Sequence, residues 1–132
     1  MSITHIGNSG NYSDLVIYDK TIYLSGIVSD VNGTVYEQTQ NVLEKIDKLL
    51  NSVGSSKKRV LTMTVYLIDD NSYDEMNRAY DEWVSKEFLP SRTVIGNVTF
   101  PNVKWKIELT AVACLENITR KQMHESYLNY IV

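Results

Sequence analysis

An arginine placed directly after a rigid turn is the residue with the clearest chemical potential in this chain. Arg92 follows Leu89-Pro90-Ser91 and opens a predicted strand, so the backbone that carries its guanidinium has a rigid entry. A guanidinium held in this way can clamp a carboxylate through two parallel hydrogen bonds. A strand-end arginine that points into solvent or forms a salt bridge fits the same spacing. The pattern alone leaves both interpretations open.

Glu108 is the second candidate, because it lies between two apolar residues of a predicted strand. Ile107 and Leu109 flank it, so its side chain is expected on the face opposite the apolar stripe. A carboxylate there could hold a water molecule and accept its proton. It could equally pair with Lys106 or Arg92. The spacing does not decide between these roles.

Other side chains that often do chemistry are sparse. His5 and His124 lie far apart with no ligand partner nearby, which favours surface histidines. Cys114 is the only cysteine, so the chain can build neither an intrachain disulfide nor a thiolate metal cage. The sequence also lacks a phosphate-binding loop, a nucleophile elbow and a dinucleotide fingerprint.

Length and composition indicate one compact domain. The chain has 132 residues, of which 43% are hydrophobic and 22% charged, as is ordinary for a globular protein. Its net charge of −3 argues against broad binding of nucleic-acid phosphates. The sequence contains no apolar stretch of membrane-helix length and no signal-peptide pattern, so we expect a soluble, cytoplasmic protein.

Two helices must position these residues, and periodicity predicts both. The first follows the capping box Thr34-Val35-Tyr36-Glu37 and ends near Gly54. The second follows a similar pattern, Ser72-Tyr73-Asp74-Glu75, and ends before Leu89-Pro90. Each has one apolar stripe at helical spacing. In the second helix the stripe consists of Tyr73, Met76, Tyr80, Trp83 and Val84.

Alternating residues predict the strands. They are expected at residues 14–18, 21–28, 60–68, 92–99 and 104–115, with Asp19-Lys20 as a hairpin turn. The order ββαβαββ makes each helix a crossover, which favours neighbouring parallel strands and both helices on one face of a mixed sheet. The other face would carry residues such as Thr64, Val112 and Cys114, which are too apolar for solvent alone. We therefore expect an oligomer.

Several short motifs together resemble one known family over most of the chain. The motifs are Gly10-Asn11-Tyr12, Tyr23-Leu24-Ser25-Gly26, Gln38-Thr39-Gln40-Asn41-Val42-Leu43, Thr64-Val65-Tyr66-Leu67, Met76-Asn77 with Tyr80, Pro90-Ser91-Arg92, and Ile107-Glu108 with Ala111-Val112-Ala113. On these motifs the sequence resembles the Rid family, also called the YjgF or reactive intermediate deaminase family. Its members have also been described as translation inhibitors and as L-PSP endoribonucleases.

This resemblance implies an α+β, chorismate-mutase-like fold with two long helices on one face of a mixed sheet. It implies a homotrimer whose sheets form a central barrel, with clefts between adjacent subunits. The implied activity is hydrolysis of reactive enamines and imines, such as 2-aminoacrylate or 2-iminobutanoate, to a 2-keto acid and ammonia. The resemblance implies no metal and no organic cofactor for this reaction.

The resemblance also implies roles for individual residues. Arg92 matches the arginine that binds the substrate carboxylate, and Glu108 matches the acidic residue that holds the attacking water. The implied pocket lining is Tyr12, Ser25, Gly26 and Val94, the last through its backbone. Val94 stands where many members have cysteine, and Gly96 stands where an acidic residue is common. The second difference would alter the charge of the pocket or its water.

The resemblance divides the chain into one domain, residues 1–115, and an extension, residues 116–132. In the extension Thr119-Arg120-Lys121-Gln122 repeats a capping pattern. Apolar residues at helical spacing follow it and predict a short helix that packs on the domain or the trimer. These residues are Met123, Tyr127, Leu128 and Ile131.

Two other functions stay open. An endoribonuclease or translation inhibitor, as some relatives are labelled, finds little support in an acidic chain without an evident histidine pair. A trimer could still focus Lys57, Lys58 and Arg59 into a basic patch. In the other alternative, the protein is a non-catalytic binder of small carboxylate metabolites, in which Arg92 holds a ligand and nothing turns over.

Overall fold

The computed structural model describes residues 2–115, so the helix predicted within residues 116–132 lies outside the described residues. The strands of this part are β1 (Ile3–Ile6), β2 (Leu15–Tyr18), β3 (Thr21–Leu24), β4 (Ile27–Val28), β5 (Val60–Leu67), β6 (Ser91–Ile95) and β7 (Ile107–Cys114). The helices are α1 (Val35–Ser52) and α2 (Tyr73–Trp83). Single turns of 3₁₀ helix at Lys57–Arg59 and Asp70–Ser72 precede β5 and α2.

The strands form one mixed sheet, which confirms the predicted α+β architecture. The order is β1-β2-β3-β7-β5-β6, and the short β4 also pairs with β7. Strands β5 and β6 are parallel, and the other pairs are antiparallel. Strand β6 therefore lies at one end of the sheet, while β7 has neighbours on both sides.

The two helices connect their strands differently. Helix α2 joins β5 to its parallel neighbour β6, as predicted. Helix α1 joins β4 to β5, but β7 lies between these strands and is antiparallel to both. The prediction of neighbouring parallel strands is wrong for α1, because a strand from the far end of the chain fills the gap.

The core lies between the sheet and the two helices. Along β7, Ile107, Leu109, Ala111 and Ala113 are buried, whereas the alternate residues, Glu108 among them, are half-exposed. The two faces predicted for this strand are confirmed. Burial of each large apolar side chain contributes about 1.5–3 kcal/mol. The largest fully buried apolar residues are Leu15, Ile22, Leu43, Ile46, Leu50, Met63, Leu67, Met76, Ile107 and Leu109.

The helix termini confirm one capping box and contradict the other. The Thr34 hydroxyl accepts from the Glu37 N–H at 3.1 Å, and the Glu37 carboxylate accepts from the Thr34 N–H at 3.0 Å. Gly54, with φ +79°, follows the end of α1 as predicted. Ser72, however, caps nothing with its side chain. Its hydroxyl donates to Asp69 at 2.8 Å, because a preceding 3₁₀ turn already gives Ser72 a helical backbone.

Several strands are shorter than the alternation predicts. The expected strand 21–28 breaks at Ser25-Gly26 into β3 and β4. The strand at Arg92 ends at Ile95, where Gly96 and the left-handed Asn97, φ 56°, turn the chain. Within β5, Leu61 is 51% exposed because the register with β7 shifts between Val60 and Thr62.

The last strand begins later than predicted because a helix residue holds its entry. Gln38 of α1 is completely buried. Its Nε2 donates to the Lys104 carbonyl at 2.8 Å, and its Oε1 accepts from the Lys106 N–H at 2.9 Å. Residues 104–106 thus bond to α1 and to the end of β5 before the ladder of β7 starts. The Ile68 N–H, for example, donates to the Lys106 carbonyl at 3.1 Å.

The N-terminal strand β1 has no counterpart in the sequence prediction. It pairs antiparallel with β2, Ile3 opposite Tyr18 and Ile6 opposite Leu15. Three of its four residues are exposed and the fourth is half-exposed. Such a strand has no buried face, so it leaves no clear alternation in the sequence.

Candidate active site

Arg92 lies on the terminal strand β6 and reaches the helix-covered side of the sheet. Its backbone pairs with Met63 of β5, which is buried in the core. Nη1 donates to Asn77 Oδ1 at 2.9 Å, and Nη2 donates to the Tyr73 hydroxyl at 3.2 Å. Helix α2 therefore fixes the direction of the guanidinium.

An aromatic ring of the same helix supports this guanidinium. Arg92 Cζ lies 4.5 Å from the ring centroid of Tyr80 and 5.9 Å from that of Tyr73. Contacts of this kind contribute about 0.5–2 kcal/mol. Burial raises the pKa of Tyr80, and the Arg92 charge opposes that rise only in part. The phenol is therefore neutral at physiological pH and offers its ring to the cation.

The guanidinium fits neither of the two structural interpretations that its position in the sequence allowed. Arg92 is half-buried, and no carboxylate within residues 2–115 forms an ion pair with it. An amide and two phenol groups hold it instead. The result is an oriented guanidinium that keeps its positive charge available, which is the arrangement that a carboxylate ligand requires.

Sequence reasoning missed the residues that hold Arg92. Tyr73, Asn77 and Tyr80 follow at i, i+4 and i+7, so they share one face of α2. The predicted apolar stripe contains both tyrosines, and Asn77 has a place in a family motif but no predicted role. A polar residue between two tyrosines at this spacing was the available signal for a polar site.

Glu108 lies near the start of β7 and on the other face of the sheet. Its backbone pairs with Tyr66 of β5 and with Val28 of β4. Its carboxylate lies against Gly26, where an added Cβ would stand 2.0 Å from Oε2. Neither partner suggested by the sequence pairs with it. Lys106 Nζ donates to the Gly33 carbonyl at 2.8 Å, and Arg92 bonds to α2.

Arg92 and Glu108 do not meet within one chain. Arg92 is level with Met63, whereas Glu108 is level with Tyr66. Their backbones are separated by about 10 Å across two strand spacings and by about 10 Å along the strands. Because their side chains also lie on opposite faces, one chain cannot bring both to the same small molecule.

Three other predicted residues, Tyr12, Ser25 and Gly26, line one cavity of about 320 Å³ between the loop before β2 and helix α1. The Ser25 hydroxyl donates to the Ser13 carbonyl at 2.6 Å, and the Ser25 N–H donates to the Asp14 carbonyl at 3.0 Å. These bonds tie the break between β3 and β4 to the loop that carries Tyr12. The structure thus brings these three residues together, beside the Gly26 contact with Glu108.

The same cavity also contains two lysines from α1. Lys45 Nζ donates to the Val28 carbonyl at 2.8 Å and to Asp30 at 3.1 Å. Lys48 pairs with Glu44 at 3.3 Å, one helical turn away. Both ammonium groups therefore pair with a carboxylate, whereas within residues 2–115 the guanidinium of Arg92 does not.

Val94 lies on the same side of β6 as Arg92. It pairs with Val65, which is buried, and its side chain packs against the core. Within residues 2–115, β6 has a strand partner on one edge only, so the other edge presents its backbone groups.

Gly96 lies beside a carboxylate of another segment. Asp70 Oδ1 lies 2.8 Å from the point where a Cβ of Gly96 would stand. Asp70 belongs to the 3₁₀ turn before α2. A carboxylate from a different segment therefore lies beside Gly96. The effect of this difference on the charge or the water of the pocket stays a prediction.

Within residues 2–115, the His, Cys, Asp and Glu side chains form no group of three or more that could hold a metal ion. Neither α1 nor α2 combines the length and apolar character that a bilayer-spanning helix needs.

These features define an α+β protein whose mixed sheet carries an oriented arginine on one face and a glutamate on the other. A family model described as endoribonuclease L-PSP matches residues 2–115. A RutC family protein of Haemophilus ducreyi is 39% identical over 116 residues, covering 87% of this chain and 98% of the relative. The human 2-iminobutanoate/2-iminopropanoate deaminase is 31% identical over 114 residues, covering 81% and 82%.

A solved structure agrees with these relatives. The crystal structure of a YjgF family protein from Neisseria meningitidis has a TM-score of 0.86 and 34% identity, covering 89% of this chain and 98% of that one. The chain belongs to the YjgF/Rid family, which the matching model describes as endoribonuclease L-PSP. The family and fold expected from the sequence motifs are confirmed.

Proposed function

We propose that this protein hydrolyses small 2-imino and 2-enamino acids to 2-keto acids and ammonia. The observation that carries the proposal is the guanidinium of Arg92, oriented by Asn77 and Tyr73 and without an ion-pair partner in residues 2–115. A planar guanidinium matches a carboxylate in shape and charge. The name of the human relative, a 2-iminobutanoate/2-iminopropanoate deaminase, supports the same substrate class.

Arg92 binds the substrate carboxylate and thereby orients the adjacent carbon. In a 2-imino acid the C=N carbon is already electrophilic, because a carboxylate and a nitrogen flank it. Orientation together with one positioned water can then supply the acceleration without a covalent enzyme intermediate. The backbone at Val94 holds the imine nitrogen beside this arginine.

Glu108 holds the water and accepts its proton as the oxygen adds to the C=N carbon. Glu108 passes this proton to the nitrogen, and a tetrahedral aminol forms. As the aminol collapses, Glu108 takes the hydroxyl proton and returns it to the nitrogen, so the C–N bond breaks, the keto group forms and ammonia leaves. One imino acid and one water thus give one keto acid and one ammonia, with no oxidation or reduction. Tyr12, Ser25 and Gly26 line the approach to Glu108.

The substrate site lies between two chains. Because Arg92 and Glu108 lie on opposite faces of one sheet, both can contact a small substrate only when Arg92 of one chain faces Glu108 of a neighbour. The terminal position of β6 puts Arg92 at the rim of its own sheet, where a neighbour can approach. A homotrimer whose sheets pack into a barrel supplies three such clefts.

The exposed side chains of the sheet support this assembly. Tyr23 is 48% exposed, and the half-exposed Val112, Cys114 and Thr64 lie on the same face. Packing against other sheets would remove this half-apolar surface from water. Light scattering should therefore give a mass near three times 15.1 kDa. A stable monomer would contradict the shared clefts.

The activity is tested by generating the short-lived imine substrate in the assay mixture. An amino-acid oxidase generates 2-iminopropanoate or larger imines, and semicarbazide traps whatever imine remains. Active protein should lower semicarbazone formation and raise keto-acid and ammonia release. The matched control is Arg92→Ala at the same concentration.

Each outcome separates the proposed functions. Wild-type protein that binds a 2-keto acid but leaves semicarbazone formation unchanged would be a carboxylate-binding protein and not a hydrolase. RNA cleavage that follows the trimer through purification and disappears in Arg92→Ala would instead favour a nuclease. Against that alternative, Lys57 of the basic run Lys57–Arg59 is engaged, since its Nζ donates to the Trp83 carbonyl at 2.8 Å.

A further inference from the structure

Tyr73 places a phenol hydroxyl beside the guanidinium that the proposed reaction uses. It is the first residue of α2, and it is 42% exposed. Its hydroxyl oxygen lies 3.2 Å from Arg92 Nη2, in a bond that Nη2 must donate. The phenol is thus both fixed by Arg92 and open to a ligand.

Within residues 2–115, three of the five N–H donors of the Arg92 guanidinium remain free to bind a ligand. A guanidinium has five N–H donors and no acceptor, and two of the five point to Asn77 and Tyr73. Donors on both terminal nitrogens and on Nε are therefore left for a ligand. The Tyr73 hydroxyl accepts from Arg92, so its own proton cannot return to Arg92 and must point elsewhere.

The geometry points to Tyr73 as a second donor to the substrate carboxylate. A carboxylate oxygen bound to Nη2 stands next to the hydroxyl that Nη2 also contacts, and it can accept the phenol proton as well. Tyr73 is then a substrate-binding residue, and Arg92 and Tyr73 together select a planar anion. This inference rests on the proposed function, because it assumes that Arg92 binds the carboxylate.

The role differs from that of the other aromatic residue at the site. The Tyr80 ring lies under the guanidinium, 4.5 Å from Cζ, and contributes through its face. The Tyr73 ring is farther, at 5.9 Å, and contacts the guanidinium through its hydroxyl. Replacing Tyr73 by phenylalanine therefore removes the proposed donor and retains the ring.

The test measures binding of 2-oxobutanoate and of its neutral analogue 2-oxobutanamide to the full-length protein by NMR titration. Tyr73→Phe should raise the Kd of 2-oxobutanoate about tenfold, as expected for a lost hydrogen bond to a charged group, and raise that of the amide by less, because a hydrogen bond to a neutral carbonyl is weaker. Tyr36→Phe is the matched control, because its hydroxyl bonds to Glu82 at 2.7 Å and not to Arg92. It should change neither value.

Repeating the Tyr73→Phe change in an Arg92→Lys variant distinguishes direct contact of Tyr73 with the ligand from an effect of Tyr73 on the position of residue 92. In Arg92→Lys, Tyr73→Phe should still raise the Kd of 2-oxobutanoate several-fold. An effect that vanishes in this background would mean that Tyr73 only positions Arg92, and the inference would be overturned. Unchanged binding in Tyr73→Phe, with weakened binding in Arg92→Ala, would overturn the inference and leave the proposed function standing. Unchanged binding in Arg92→Ala would overturn the carboxylate clamp itself.

Discussion

The carboxylate of Glu108 occupies the space above Gly26, so closely that a Cβ at position 26 would stand 2.0 Å from Glu108 Oε2. The absence of a side chain at this point is therefore what lets the carboxylate lie where it does. Gly26 belongs to the break between β3 and β4, and Glu108 belongs to β7. The position of the proposed catalytic base therefore depends on the break between β3 and β4.

Gly26→Ala tests this contact. The methyl group must displace the Glu108 carboxylate, so turnover should fall by about a hundredfold, as misplacement of a reacting group by 1 Å can cause. Crowding should also destabilise the fold by about 1–3 kcal/mol. Imine hydrolysis and urea unfolding measure the two effects. The double variant Gly26→Ala/Glu108→Ala should recover stability without turnover; wild-type turnover in Gly26→Ala would contradict the proposed role of Glu108.

Glu108→Gln separates proton removal from ligand binding. Glutamine keeps the shape but loses the negative charge that draws a proton from water, so turnover should fall by about a hundredfold. Affinity for 2-oxobutanoate should stay nearly unchanged, because its carboxylate binds at Arg92. Steady-state kinetics measures turnover, and titration measures the affinity for 2-oxobutanoate. Glu44→Gln, at an exposed position of α1, is the control. Full turnover in Glu108→Gln would exclude Glu108 as the catalytic base.

Arg92→Ala should lower kcat/KM about tenfold to a hundredfold, since a charge-assisted hydrogen bond contributes roughly 1.5–3 kcal/mol. Lysine should not rescue it, because an ammonium lacks the planar fork. The loss of contact with Tyr80 should cost only about 1 kcal/mol of folding stability. Kinetics and thermal unfolding are compared with Arg78→Ala, whose guanidinium lies 3.9 Å from the Tyr36 ring. If unfolding of Arg92→Ala accounted for all of its lost turnover, the proposed role of Arg92 in binding the substrate carboxylate would be contradicted.

Gln38→Leu should destabilise the protein without touching the proposed chemistry directly. It leaves the Lys104 carbonyl and the Lys106 N–H without their side-chain partners, at a cost of about 2–4 kcal/mol. Urea unfolding measures the change. Gln40→Leu, an exposed position on the same helix, is the control and should change stability little. Equal stability of the two variants would show that the buried amide does not hold the entry to β7.

The start of α1 should contribute to the loss of stability in acid. The pKa of Glu37 is lowered from its ordinary value of 4.5, chiefly because its carboxylate accepts from the Thr34 N–H. A lowered folded-state pKa means that this contribution is present above the ordinary pKa and is lost as the pH falls through the lowered value. Glu37→Gln should therefore narrow the difference in unfolding free energy between neutral and acidic pH. Urea unfolding at neutral and at acidic pH measures this difference, and Glu44→Gln is the control. A Glu37→Gln protein whose unfolding free energy changed with pH as much as that of the wild type would contradict the prediction.

Local patterns were sufficient for the helices and for the faces of the central strands. The capping box at Thr34 and the stripe of α1 involve residues within a few positions of each other, so the sequence displays the interaction itself. The alternation of β7 likewise reports one buried face. At Ser72 the capping-box pattern gave a wrong prediction, because the 3₁₀ turn Asp70–Ser72 leads directly into α2 and the Ser72 side chain does not cap the helix.

The sequence by itself determined which residue types are available for chemistry, Arg92 and Glu108 above all, and the motifs that place the chain in its family. Only the tertiary structure decided that these two residues lie on opposite faces, that Tyr73 and Asn77 hold the guanidinium, and that Asp70 fills the space beside Gly96. Those relationships depend on strand order and on how α2 packs against β6. Residues far apart in the chain meet there, and no local periodicity encodes such meetings.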